Sequence, residues 1–452
     1  MSLFAGLGRP LFSGLLNSGF AAAASAAGSR CIASTSGSQH AEVLLAQPAA
    51  DPQPDPPSPA LPRWLAELGS IRTDWTRQEV TEVYETPLLE LVFQASRVHR
   101  MYNNPQMVQR CTLLSIKTGG CPEDCNYCSQ SSSWSKTTGT KAEKLMELEE
   151  VYQAALRAYE SGSTRFCMGA AWRGPSQVGP RQWQRVLEMV GRIRGLGMEV
   201  CTTLGMLTPE QAKQLREAGL TAYNHNLDTS PEYYGKVTTS RKYEDRLETL
   251  ANVREAGISV CAGGIIGLGE GPQDRVGLLH QLATLPEHPE SVPINRLVAI
   301  KGTPMEGNTA PSGLDLVRCV ATARVVMPRT VVRLSAGRLN LSQGDQALAF
   351  LAGANSIFDG DKLLTTANND RNEDLAMFAA LGLKSRPAFM PYAAGGSSSR
   401  SFTDPPPSSG PLGPWASSPP AGPPPPSSPT TTLPAASTSQ PQAQRSGGCC
   451  SA

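Results

Sequence analysis

Met198-Glu199-Val200-Cys201-Thr202-Thr203 is a short run dominated by apolar and β-branched residues, which favour strands. Residues 209–218 then carry the apolar spacing of an amphipathic helix, and Gly219 follows at once, as a stop signal past the last turn. A second strand-like run, 221–225, comes next. The same unit extends in both directions. Strands are predicted at 111–116, 164–168, 198–203, 221–225, 259–262, 293–298, 330–334 and 356–358. Helices are predicted at 148–161, 180–196, 209–218, 243–256, 274–285, 314–327, 342–352 and 374–381. Leu196-Gly197 and Glu255-Ala256-Gly257 repeat the stop at Glu217-Ala218-Gly219. Alternating units over about 280 residues predict a (β/α)8 TIM-type barrel. A doubly wound open sheet is the alternative, but it lacks its Gly-rich phosphate fingerprint after the first strand. Residues 74–100 read as a helical extension ahead of the barrel.

The flanks differ in composition. No Asp or Glu precedes Glu42, and Arg9 and Arg30 lie among Ser, Ala, Gly, Leu and Phe. Residues 1–40 therefore read as an organelle transit peptide. Residues 41–69 read as a Pro-rich linker, and 70–392 as the barrel domain. Residues 393–452 are Pro, Ser, Gly, Thr and Ala with few charges. Such a tail buries too little apolar surface to offset its ordering entropy and is predicted to be disordered. Cys449 and Cys450 within it have no surrounding site.

The 40 basic and 39 acidic residues balance, giving no electrostatic reason to expect nucleic acid or a membrane surface as partner. No apolar run is long enough to span a bilayer. Eleven cysteines with uneven spacing are too few for a disulfide scaffold of this length. The five histidines form no pair at zinc-ligand spacing.

The loop after the first strand reads Thr118-Gly119-Gly120-Cys121-Pro122-Glu123-Asp124-Cys125-Asn126-Tyr127-Cys128. Three thiolates this close can hold three corners of a 4Fe–4S cubane and leave one iron open for a small molecule. Loops after strands form the catalytic face of such a barrel. The alternative is a zinc knuckle, which lacks a fourth nearby Cys or His.

Three further cysteines stand alone on predicted strands, in Phe166-Cys167-Met168, Val200-Cys201-Thr202 and Val260-Cys261-Ala262. Val332-Arg333-Leu334 gives an arginine in the same setting. An apolar residue precedes each one. Side chains alternate across a strand, so Cys167, Cys201, Cys261 and Arg333 are expected to face the barrel interior together. Core packing explains any single buried cysteine. Three in one parity with an inward arginine favour a cluster site, although 2Fe–2S clusters usually take four cysteines. Cys111 and Cys319 fall outside this set, and Cys319 is expected in the core.

The spacing Cys121-x3-Cys125-x2-Cys128, with Tyr127 before the third cysteine, is similar to that of radical S-adenosylmethionine enzymes. Five further blocks resemble the biotin synthases. They are Phe166-Cys167-Met168-Gly169-Ala170-Ala171-Trp172, Tyr223-Asn224-His225-Asn226-Leu227-Asp228-Thr229-Ser230, Gly263-Gly264-Ile265-Ile266-Gly267-Leu268-Gly269-Glu270, Ser291-Val292-Pro293-Ile294-Asn295 and Val332-Arg333-Leu334-Ser335-Ala336-Gly337-Arg338. The likeness runs from about residue 75 to residue 383.

That resemblance implies sulfur insertion into dethiobiotin by 5′-deoxyadenosyl radicals, the last step of biotin formation, on a homodimer. Two hydrogen abstractions are implied, at C9 and then C6, with no protein acid or base. Cys121, Cys125 and Cys128 would hold the 4Fe–4S cluster, with S-adenosylmethionine on the open iron. Cys167, Cys201, Cys261 and Arg333 would hold a 2Fe–2S cluster that supplies the sulfur. Tyr127 would lie near the adenine. Asn226 and Asp228 would bond the ribose, Asn226 would also touch substrate, and Asn295 would bind the ureido group. Without the resemblance, Asn226, Asp228 and Asn295 read as strand-end turn chemistry. Implied partners are a ferredoxin-type electron donor and the iron–sulfur assembly machinery. The implied destination is the mitochondrion before the plastid. The sequence departs from the family at Ser129, where proline is usual, and at Ser133-Trp134, where Arg-Tyr is common. The loop 131–140 is about two residues longer than is usual by the same comparison. Lipoyl synthases and methylthiotransferases need a second cysteine triad, which is missing before Cys111. A zinc-stabilised binding module would instead be colourless.

Overall fold

The computed structural model describes residues 61–360 and 362–390. The transit-peptide stretch 1–40, most of the linker and the tail 393–452 lie outside the described residues. Strands β1 (Met107–Lys117), β2 (Arg165–Ala170), β3 (Glu199–Thr203) and β4 (Ala222–Asn224) pair in chain order, all parallel. β5 (Ser259–Cys261) and β6 (Gly264–Ile266) follow, then β7 (Ser291–Arg296), β8 (Val331–Leu334) and β9 (Ala354–Phe358). β9 returns to β1, with Gln109 opposite Ser356 and Cys111 opposite Phe358, and the sheet closes. β10 (Lys384–Ser385) adds to the start of β1.

β5 and β6 are two halves of one stave, so the barrel has the eight staves of a TIM-type fold. The fifth strand, predicted at 259–262, ends at Cys261, and after Ala262-Gly263 the stave continues beyond the predicted run as Gly264–Ile266. A Cβ on Gly263 would sit 2.0 Å from the Pro293 carbonyl oxygen, so β7 presses on the chain there. Gly264 resumes pairing, opposite Ile294 of β7 and bridged to Asp228 beyond β4.

The helices begin and end where side-chain chemistry dictates. Helix Pro209–Glu217 starts on a Thr208–Gln211 capping box with Pro209 in its first turn, and it buries Ala212 and Leu215. Gly197, Gly219 and Gly257 all take positive φ beyond a helix end, a conformation that costs glycine little. The outward residues of the staves, among them Phe166, Val200, Val260 and Val332, are buried against the helices. Each contributes about 1.5–3 kcal/mol of apolar burial.

The folded body starts earlier than residue 70. Residues Arg63–Ala66 form a short helix, and Trp64 joins the main core. Arg72 stacks over the ring of Trp75 at 3.7 Å. The helical extension (Arg77–Glu85 and Leu88–Tyr102) packs on helix Gly313–Val326, where Arg318 donates to the carbonyls of Tyr84 and Thr86. Among the described residues, no helix is long and apolar enough to cross a membrane.

Gly205 turns the chain after β3 at φ +88°, and a Cβ there would lie 2.2 Å from the Arg173 carbonyl oxygen. Gly205→Ala is expected to cost at least about 2 kcal/mol, read from urea unfolding.

Candidate active site

A cavity of about 330 Å³ opens at the carboxyl ends of the staves. Cys121, Cys125, Cys128 and Tyr127 line it on the loop after β1. Cys167, Cys201 and Arg333 line it on the staves themselves. Asn226, Asp228 and Asn295 also face it. The structure thus brings both cysteine sets and the three predicted polar residues around one space. Cys261 is fully buried behind it, with its Sγ 3.7 Å from Arg333 Nη1 and 3.4 Å from Asn224 Nδ2.

The cysteine loop is held from outside. Gly119 and Gly120 both take positive φ, and a Cβ on Gly119 would be 2.4 Å from the Lys141 carbonyl oxygen. Asp124 accepts from Thr238 Oγ1 at 2.7 Å and from the amides of Thr239 and Ser240 at 2.9 and 3.0 Å. Buried Glu123 pairs with Arg173 at 3.0 Å and Arg241 at 3.6 Å. Trp134, at a position that departs from the resemblance, donates Nε1 to the Cys125 carbonyl at 3.2 Å. Ser129, another departure, bonds Thr365 at 3.2 Å and so ties the loop to a segment, 363–366, that also lines the cavity.

Burial pushes the Cys125 thiol up to about 11 and the Cys128 thiol up to about 12, and it raises Cys121 as well. Such thiols stay protonated until a metal takes the proton's place. One buried and two half-buried thiols on one cavity wall fit iron–sulfur donor chemistry. Among the described residues, no group of three or more His, Cys, Asp or Glu side chains surrounds a single-ion position.

On the staves, Cys167 lies opposite Cys201 and Asn224 opposite Cys261. Their sulfurs share one inner cluster with Cys111, Ala222, Phe358 and Leu363. The predicted parity holds: the residue before each cysteine packs outward. A hydrogen bond from Cys201, and then Arg333, overcome burial and bring the Cys261 thiol down to about 6. Beneath this layer, Glu199 Oε2 accepts from Arg165 Nε at 2.8 Å and Nη2 at 2.6 Å, and from Gln109 Nε2 at 2.8 Å. Its Oε1 accepts the Phe389 amide at 3.0 Å.

Asp228 takes φ +67°, a strained conformation for a non-glycine residue. Its Oδ2 accepts from Tyr127 Oη at 3.1 Å and from Arg246 Nη2. Arg246 also donates to the Asn226 carbonyl and to Tyr234 Oη, so one buried arginine organises this corner. Asn226 Oδ1 accepts from Asn224 Nδ2 at 3.0 Å and the Gly263 amide at 3.2 Å. Asn295 donates to the Gly264 carbonyl at 3.0 Å and accepts the Ala336 amide at 3.2 Å. An amide oxygen has two lone pairs and its nitrogen two hydrogens, so Asn295 keeps one of each for a guest. His225 lines the same space with Nε2 unpartnered, and burial beside Arg246 and Arg241 keeps it neutral. Tyr127→Phe removes one bond to Asp228 and is expected to cost about 1 kcal/mol in a denaturant melt.

Arg173, Arg241, Arg246, Glu123 and Asp124 are part of this site and were missed in the sequence reading. They act through partners 12 to 118 positions away, and no local spacing marks them.

Comparison with known proteins follows the same lines. The radical SAM superfamily profile matches residues 115–282, and the Biotin and Thiamin Synthesis associated domain matches 293–384. The mitochondrial biotin synthase of Arabidopsis thaliana is 60% identical over 317 residues, covering 70% of this chain and 83% of that protein. The biotin synthase of Cytophaga hutchinsonii is 58% identical, covering 71% and 94%. That of Schizosaccharomyces pombe is 51% identical over 347 residues, covering 76% and 94%. Among solved structures, methylornithine synthase superposes with a TM-score of 0.59 at 18% identity, covering 69% of this chain and 94% of that one, a likeness of fold. With both domains matched and whole relatives aligned at more than half identity, the chain belongs to the biotin synthase family of radical SAM enzymes.

Proposed function

We propose that this chain converts dethiobiotin to biotin by radical sulfur insertion. One observation carries the reading: Cys121, Cys125, Cys128, Cys167, Cys201, Arg333 and the polar trio line a single cavity, with Cys261 buried directly behind it. Cys121, Cys125 and Cys128 would hold a 4Fe–4S cluster, which when bound would supply the electron that releases a 5′-deoxyadenosyl radical from S-adenosylmethionine. The remaining work falls to the protein. Tyr127 and Asp228 form one wall, placed to receive the adenosyl group. Arg246 fixes Asp228 so that its carboxylate faces the cavity without relaxing. Asn295 and Asn226, pinned by backbone groups, are placed to hold the ureido ring. Cys167, Cys201 and Cys261, with Arg333, would hold a 2Fe–2S cluster, which would supply the sulfur. Apolar Leu113, Leu363 and Phe358 exclude water from the path between them. The buried, neutral His225 is not suited to proton transfer, in keeping with a radical route that needs no protein acid or base.

The finer setting belongs to the same proposal. Mitochondrial location is supported by the acid-free stretch before Glu42 and by the location of the Arabidopsis relative. A ferredoxin-type donor, the iron–sulfur assembly machinery and a homodimer complete it.

The test is anaerobic reconstitution with iron and sulfide, then reduction with S-adenosylmethionine and dethiobiotin. Biotin is expected, with about two 5′-deoxyadenosines formed per biotin. Reduced, reconstituted protein that releases no 5′-deoxyadenosine sinks the reading.

A further inference from the structure

Cys111 was set outside the ligand set, and the structure places it inside the same inner cluster as Cys167, Cys201 and Cys261. We propose that Cys111 is a reserve fourth thiolate, able to close an all-cysteine 2Fe–2S site with Cys167, Cys201 and Cys261 in the place the family pattern gives to Arg333. This rests on the functional reading above and deepens it.

Position is the first argument. Cys111 is fully buried on β1, two residues before Leu113, which lies opposite Cys167. The four thiols therefore come from the staves β1, β2, β3 and β5 and converge on one interior. The second argument is shared neighbours. Ser356 Oγ is 2.9 Å from Arg333 Nε and 3.6 Å from Cys111 Sγ. Gln109 Oε1 is 3.3 Å from Arg333 Nη2 and 3.6 Å from Cys111 Sγ. The same two side chains touch both groups, so the thiol stands directly beside the guanidinium. Vacating the arginine opens the interior toward Cys111.

Donor chemistry is the third argument. A guanidinium carries five N–H donors, no acceptor, and holds its proton in proteins, so it is a poor iron ligand. Thiolate is the ordinary ligand of 2Fe–2S iron, normally four per cluster. The ordinary reading of a buried cysteine is a small apolar filler. That reading predicts no coupling between Cys111 and Arg333.

The test compares the full chain with R333A, C111A and R333A/C111A, each reconstituted anaerobically with iron and sulfide. The readouts are iron and sulfide content and the Mössbauer signal of the 2Fe–2S cluster. Each single variant is expected to keep that cluster within about twofold, and the double variant to lose at least about fivefold, a non-additive result. The 4Fe–4S signal at the loop cysteines serves as the internal control for folding. A second pair, R333M/C111S, keeps the interior filled and should show the same loss. Double variants that keep as much 2Fe–2S cluster as R333A overturn the proposal, and so does an R333A that loses it alone. Wild-type protein with no second cluster at all refutes the functional reading itself, before any variant is compared.

Discussion

Cys128→Ala is expected to lower 5′-deoxyadenosine release by at least about a thousandfold, equivalent to about 4 kcal/mol in the barrier. The loop offers three thiols to the cavity, and iron–sulfur cubanes need three thiolates when a fourth iron is left open. Removing one leaves two, so the cluster is not retained. The fold should survive. The loop is anchored by Asp124 on Thr238 to Ser240 and by Glu123 on Arg173, and none of these contacts involves the Cys128 sulfur. Visible absorbance after reconstitution and product formation should fall together, while the thermal melt of the metal-free chain stays in place. Retained turnover in this variant would contradict the assignment of the loop.

The second large effect is on stability. Glu199→Ala is expected to destabilise the chain by about 3–5 kcal/mol, because it leaves Arg165 charged and unpaired inside the barrel. Glu199 is 1% exposed, and its carboxylate receives Arg165, Gln109 and the Phe389 amide. Burial is the strongest single influence and opposes its ionisation, but Arg165, Arg386 and the hydrogen bonds it accepts together outweigh burial and hold the carboxyl below the usual range. Its contribution is therefore complete above the ordinary carboxylate pKa and is lost only as pH falls through the lower folded value. Calorimetry should show a fall of roughly 4–7 °C in Tm. Glu199→Gln, which keeps hydrogen-bonding atoms, should lose less. A shift under about 2 °C for Glu199→Ala would mean the pair is idle.

Much of the scaffold was legible. Staves such as 199–203 announce themselves by apolar composition, and Gly197, Gly219 and Gly257 mark helix ends because a positive φ favours glycine. The inward parity of Cys167, Cys201, Cys261 and Arg333 followed from an apolar residue before each. That same rule hid Cys111. The residue before it is Arg110, which is buried outside the barrel by an ion pair to Asp359 at 2.6 Å. A charged residue stands where an apolar one was sought, and its partner is 249 positions away. The break at Ala262-Gly263 was also invisible, since it comes from the approach of Pro293 on the next stave. Arg246 lies on the helix Tyr243–Glu255, and nothing beside it in the sequence marks its pairing with Asp228. Pairings across the fold leave no mark on neighbouring letters.

The ion pair at Arg165 and Glu199, with Gln109 beside it, stoppers the amino-terminal end of the barrel. A flask with one neck fills and empties in a fixed order. On the proposed function, a group held at Cys201 would have to be loaded before the position beside Cys128 in the same cavity is filled.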